Sequence, residues 1–173
     1  MPRNVEIKAR ITAVDALVVK VRSLADQGPW ELWQQDTYFA CTAGRLKLRT
    51  GPAGAGELIY YRRENQASPK ESVYQRVPTA DPVALRDLLI QALGQVGRVE
   101  KVRTLFLRGR TRIHIDRVRG LGDFLELEVV LADSEPPAQG IAEAHELLLQ
   151  LGIGSSQLIE GSYLDLLGIA ETS

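Results

Sequence analysis

The sequence predicts an antiparallel α+β fold, and three observations carry that prediction. Eight or so short strand patterns follow one another along 173 residues. A few amphipathic helical stretches interrupt them. Nearly every strand alternates charged with Leu, Ile or Val residues, so that charges share one face and apolar groups the other. Consecutive strands joined by short turns favour antiparallel pairing.

The elements justify themselves in order. Residues 4–11 alternate strictly and read as a strand. Residues 12–15, Thr-Ala-Val-Asp, read as a capping box opening a helix with Val14, Leu17, Val18, Val21 and Leu24 on one face. Residues 35–41, 45–50 and 57–63 are strand-like, and the glycine-rich 51–56 joins the last two as a turn. That loop lacks the Gly-Lys-Ser/Thr ending of a phosphate-binding loop. Residues 70–77 alternate again. Asp81 and Pro82 then form an N-cap and first-turn pair for a helix running through Leu85, Leu88, Leu89 and Leu93 to a stop at Gly94. Strands follow at 98–107, 110–116 and 124–131, then a helix at 141–151 stopped by Gly152. A short helix begins near Ser162.

Composition bounds the function. The chain is 45% hydrophobic and 25% charged, ordinary for a single globular domain, here residues 1–173. A net charge of −1 gives no global electrostatic case for nucleic acid or an acidic membrane surface. One cysteine, Cys41, excludes an internal disulfide and a cysteine zinc cluster, and the chain shows neither a signal-peptide pattern nor a long apolar run. These features predict a cytoplasmic protein. Cys41, Trp30 and Trp33 read as packing residues, and His145 as a surface residue on a helix.

The signs of the charges are grouped. Glu6-Ile-Lys8 and Glu126-Leu-Glu128 bring carboxylates from the two ends of the chain, while the strands between them are basic. Carboxylate oxygens suit a hard divalent cation, and Lys and Arg suit phosphate oxygens, so the pattern fits a metal-bound polyphosphate. Two architectures satisfy it. Either one sheet has helices behind and a solvated, salt-bridged front, or the charged faces point at one another and line a polar lumen.

The ordered motifs resemble the CYTH superfamily, the triphosphate tunnel metalloenzymes, which includes class IV adenylyl cyclases and thiamine triphosphatases. They are Asn-x-Glu-x-Lys at 4–8, Gln-Asp-Thr-Tyr-Phe at 35–39, Leu-Lys-Leu-Arg at 46–49 and Leu-Ile-Tyr-Tyr-x-Arg at 58–63. Lys-x-Arg at 101–103, His-Ile-Asp-Arg-Val at 114–118, Gly-Asp-Phe-Leu-Glu-Leu-Glu at 122–128 and Gly-Ser-Tyr at 161–163 complete the set. The resemblance implies a closed antiparallel eight-stranded barrel, a triphosphate tunnel with a polar lumen and helices packed outside. It also implies a small-molecule triphosphate substrate (ATP, thiamine triphosphate or tripolyphosphate), Mg²⁺ or Mn²⁺, and a monomer or homodimer with no nucleic-acid or membrane partner. One position departs: Asn4 stands where the family signature has its first Glu, and the His-Phe dipeptide of some class IV cyclases is absent.

With that resemblance in hand, Glu6, Asp116, Glu126 and Glu128 become the expected metal ligands. Lys8, Arg45, Lys47, Arg49, Arg63, Lys101, Arg103 and Arg112 become the expected phosphate contacts, with Lys8, Arg63 and His114 as catalytic candidates. Arg62 and Arg63 cannot both face one side of a strand, and Arg63 has the family spacing. The implied activity is phosphoanhydride chemistry on a triphosphate. Its outcomes are hydrolysis, cyclisation of ATP with release of pyrophosphate, or binding without turnover.

Overall fold

Alternation of charged and apolar residues gives each strand two unlike faces, and closing the sheet on itself separates them completely. The structure, a computed structural model, describes residues 1–171. Its strands are β1 (Arg3–Ile11), β2 (Gln27–Phe39), β3 (Arg45–Thr50), β4 (Gly56–Arg63), β5 (Lys70–Thr79), β6 (Gln95–Arg108), β7 (Thr111–Val118) and β8 (Gly122–Leu131). They form a closed barrel in the order β1-β5-β4-β3-β2-β6-β7-β8, and every pairing is antiparallel. The lumen alternative is therefore the one the chain adopts.

The outward apolar residues make the main core. Val5, Ile7 and Ala9 of β1 join Phe106 of β6, Ile113 and Ile115 of β7, and Leu125, Leu127 and Val129 of β8. Two helices cover them: α1 (Val14–Leu24) through Leu17 and Val21, and α3 (Pro137–Leu151) through Ala144, Leu147, Leu148 and Leu151. Each fully buried aliphatic side chain contributes about 1.5–3 kcal/mol, so this outer core stabilises the barrel without using its lumen. Gly140 lets α3 approach closely, since a Cβ there would lie 2.8 Å from a Leu131 methyl and 2.9 Å from one of Val5. Gly152, left-handed at φ 75°, ends that helix.

A second cluster of Tyr38, Val99, Val118, Phe124 and Tyr163 lies under α4 (Tyr163–Glu171). The remaining helix, α2 (Pro82–Leu93), starts as its sequence requires: Asp81 accepts a hydrogen bond from the Ala84 amide at 2.9 Å. Among the described residues, no helix is long and apolar enough to cross a membrane.

Four sequence expectations need correction. Strand β2 begins at Gln27, eight residues before the expected start at 35. Gly-Pro at 28–29 reads locally as a break, yet the segment pairs with β6 from Trp30↔Leu105 onward, and that long-range ladder overrides the local signal. Helix α1 has Ala13 at its N-cap with no side-chain cap, so the Thr12 capping box does not form. Trp30 and Trp33 are exposed, at 43% and 39%, and neither joins the buried core. Cys41 is exposed too, because it falls just past the end of β2.

Candidate active site

Strand register decides which lumen residues become neighbours. Antiparallel pairing sets Glu126 of β8 opposite Lys8 of β1 on one side and His114 of β7 on the other. Two residues along, Glu128 lies opposite Glu6 and Arg112. With a period of two, all six side chains point inward together.

The lumen is graded from one end to the other. At its deep end Lys8, Lys101, Arg103, Asp116 and Tyr163 are all at most 5% exposed. At the mouth Leu32, Gln34, Tyr74 and Leu105 are partly exposed and Arg76 is open to solvent. The N-terminal turn of α4 lies against the deep end, where Ser162 and Tyr163 line the cavity.

The deep end is fully paired. Asp116 accepts hydrogen bonds from Lys101 Nζ at 2.9 Å, Arg103 Nε at 2.7 Å and Nη2 at 2.6 Å, and Tyr163 Oη at 2.9 Å. Burial alone would raise the Asp116 pKa, but Arg103 and Lys101 outweigh it and hold the carboxyl far below the usual range. Burial and the nearby Arg103 push Lys101 down to about 7, against the pull of Asp116. The Tyr163 ring carries Lys8 at 4.3 Å and Lys101 at 5.1 Å from its centroid, a cation–π floor.

A second paired group sits on β2 and β3. Asp36 takes Arg49 in a bidentate grip, both contacts 2.8 Å, and Lys47 at 2.8 Å. Those cations overcome the effect of burial and keep Asp36 well below the ordinary carboxylate range.

The middle of the lumen differs. His114, Glu126 and Glu128 each direct a possible ligand atom to one spot, all within 4.8 Å of one another. Glu126 meets Lys8 at 3.1 Å and also touches Arg103 Nη2, while Arg112 Nε lies 3.2 Å from Glu128. Burial resists ionisation of both carboxyls, but Lys8 and Arg103 keep Glu126 low, and Arg112 and Arg103 keep Glu128 low. Burial and Arg103 lower the His114 pKa, favouring its neutral form. Two carboxylates and a neutral imidazole are donors that fit a divalent cation. Glu6, one strand over, pairs instead with Arg63 at 2.6 Å; burial raises its pKa despite that partner, and Glu126 adds to the rise.

A CYTH-domain family model matches residues 2–163. The chain belongs to the CYTH family. It is 28% identical over 170 residues to adenylate cyclase CyaB of Aeromonas hydrophila, covering 92% of this chain and 86% of that protein. The solved PH1012 protein of Pyrococcus horikoshii shares the fold with a TM-score of 0.85 at 22% identity, covering 94% of this chain and 98% of that one. A Hippeastrum protein described as having a dominant triphosphatase activity aligns with a TM-score of 0.64 at 14% identity, over 99% of this chain and 96% of that one.

Most of the residues expected from CYTH motifs meet in this lumen. Glu6, Lys8, Lys47, Arg49, Arg63, Lys101, Arg103, Arg112, His114, Glu126 and Glu128 all line it, and Arg62 points outward to solvent. Two do not fit their expected roles. Asp116 is fully enclosed by Lys101, Arg103 and Tyr163 and stands apart from the His114–Glu126–Glu128 group, so its contacts are those of an anchor for cations. Arg45 lies at a strand end outside the cavity lining, bonded to Asp165 at 2.8 Å and Asn65 at 3.1 Å. Sequence reasoning gave no role to Asp36 or Tyr163, although both stand inside matched CYTH motifs. Their even spacing from Tyr38 and from Gly161 carries no hint of the partners that surround them.

Proposed function

We propose that this protein is a divalent-metal-dependent enzyme acting on the phosphoanhydride of a triphosphate, as an organic or inorganic triphosphatase. The carrying observation is the charge of the lumen. Among the described residues lining it are eight Lys and Arg, against four lining carboxylates and Asp116 at the deep end, in a chain whose overall charge is −1. A cationic excess inside a lumen favours a compact polyanion.

The chain's residues divide the work. Arg49 and Arg103, oriented by Asp36 and Asp116 through Nε and Nη2, would offer their remaining Nη1 groups to phosphoryl oxygens. Lys101, Arg63 and Arg112 neutralise further oxygens, and Lys8 is held between Glu126 and the Tyr163 ring. Glu126, Glu128 and His114 would hold the divalent cation, Mg²⁺ or Mn²⁺, with Glu6 beside them. When bound, the ion supplies Lewis-acid polarisation of a phosphoryl oxygen and neutralises developing charge. Electrostatic stabilisation and in-line positioning are the main resources for phosphoryl transfer, and this lumen offers both. Triphosphatase activity described for the Hippeastrum protein supports hydrolysis as chemistry this fold accommodates.

One observation favours cyclisation of ATP as the second reading. Leu32, Ile59 and Leu105 line the otherwise polar cavity, which suits a nucleoside, and the Aeromonas relative bears the cyclase name. Incubation with ATP, thiamine triphosphate and tripolyphosphate, each with Mg²⁺ or Mn²⁺, separates the outcomes when orthophosphate, pyrophosphate and cyclic AMP are read individually. Orthophosphate without cyclic AMP supports the triphosphatase. Cyclic AMP with equal pyrophosphate replaces it with a cyclase, and tight binding without either product leaves a binding module.

A further inference from the structure

We propose that His114 is a direct ligand of the divalent cation, and that the resulting site of one imidazole and two carboxylates selects Mn²⁺ and later first-row ions over Mg²⁺. This inference rests on the functional reading above and narrows its cofactor.

The geometry begins with partners that are already taken. Glu126 gives Oε1 to Lys8, and Glu128 gives Oε2 to Arg112. Glu126 Oε2, which also accepts from Arg103 Nη2, and Glu128 Oε1, unpaired among the described residues, both turn toward His114 Nδ1, at 3.6 and 3.9 Å. Those separations are too long for hydrogen bonds. Nδ1 itself is buried and has no hydrogen-bond partner, on a residue only 3% exposed. A buried nitrogen left unbonded is unfavourable, so the arrangement favours a positive centre held between three converging donors.

The strands hold this gap open. His114 and Glu126 are direct register partners on β7 and β8, and Glu128 follows two residues along on the same face. Their backbones are fixed by the ladder and by the apolar core behind it, where Ile113, Ile115, Leu125 and Leu127 are 2% exposed or less. Three donors fixed on two neighbouring strands leave further coordination positions facing the lumen, where phosphate oxygens would enter. Mg²⁺ prefers all-oxygen surroundings and sheds water reluctantly, whereas imidazole strengthens binding along the series from Mn²⁺ to Zn²⁺. The donor set therefore discriminates by ligand type.

The test reads the metal directly. The protein, alone and with a methylene-bridged triphosphate analogue, is titrated with Mn²⁺ and with Mg²⁺ by calorimetry. Pulsed EPR of bound Mn²⁺ then reports any nitrogen in its coordination sphere. The chain has two histidines, and His145 is exposed on α3, so a directly coordinated nitrogen in this lumen is assignable to His114. We expect a nitrogen coupling that disappears in His114→Gln, with Mn²⁺ affinity falling by about tenfold or more and Mg²⁺ affinity changing much less. His114→Asn serves as a second variant, and circular dichroism checks that each barrel is intact. Mn²⁺ bound at Glu126 and Glu128 without nitrogen coupling overturns the inference and leaves the metal-dependent reading standing. Turnover that needs no divalent ion overturns both.

Discussion

Two carboxylate sites share the lumen, and their surroundings differ sharply. Asp116 at the deep end has a partner for each oxygen, from Lys101, Arg103 and Tyr163. In the middle, Glu126 divides its oxygens between Lys8 and Arg103 and Glu128 spends one on Arg112, while Glu126 Oε2 and Glu128 Oε1 both turn toward a histidine nitrogen that bonds nothing. The first arrangement is complete as folded. The second is not, and incompleteness of that kind locates where an incoming ligand gains most. Family motifs alone put Asp116 in the same class as Glu126 and Glu128; the contacts separate them.

Substitutions can break that contrast. The largest effect is expected at Glu128→Gln and Glu126→Gln, which should each lose turnover by at least about a hundredfold while the barrel stays folded. The double variant should lose little more than the worse single one, because residues acting as a unit are non-additive. Initial rates across a Mn²⁺ series check this, and near-normal activity in both singles would remove the pair from the site. Asp116→Asn should behave oppositely. Removing the charge leaves Lys101 and Arg103 buried without their counter-ion, a loss of about 3–5 kcal/mol in denaturant unfolding.

Arg49→Ala comes next. It removes one charge-assisted phosphate contact, so triphosphate affinity should fall by about 1.5–3 kcal/mol in calorimetry. Folding stability should fall less than in Asp116→Asn, since Lys47 still pairs with Asp36. An unchanged affinity would assign Arg49 to structure alone.

The smallest and broadest effect is on pH. Lys101 is held down to about 7 in the folded barrel, below its ordinary 10.5. Between those values the unfolded chain binds more protons, so the penalty of burying this amine is fullest below about pH 7 and fades as pH rises toward 10.5. The melting temperature of the free protein should therefore climb from pH 7 to 9, and Lys101→Met should flatten the climb. Bound triphosphate should also flatten it, by favouring the charged amine.

Much of this is legible in the sequence, for a physical reason. A strand's period of two is local, so Glu126 with Glu128, Arg49 with Lys47, and Arg63 rather than Arg62 can be sorted by parity alone. Pairing is not local. That Lys8 and His114 flank Glu126 depends on the register of β1, β7 and β8 across more than a hundred residues. The same limit explains β2, whose first half is strand only because β6 lies beside it. It also explains Asp116, whose parity is right and whose depth no spacing reveals.

If the proposed hydrolysis holds, Tyr163 and Ser162 fix the order in which its products leave. With α4 seated on the deep end, the lumen has a floor as well as a mouth. A polyphosphate that enters with its terminal group leading would place the departing orthophosphate behind the longer product. The two products would then leave in a fixed order, diphosphate first. Orthophosphate added from outside would compete with substrate for the empty barrel, whereas the diphosphate would rebind on its mouth side only as a second arrival.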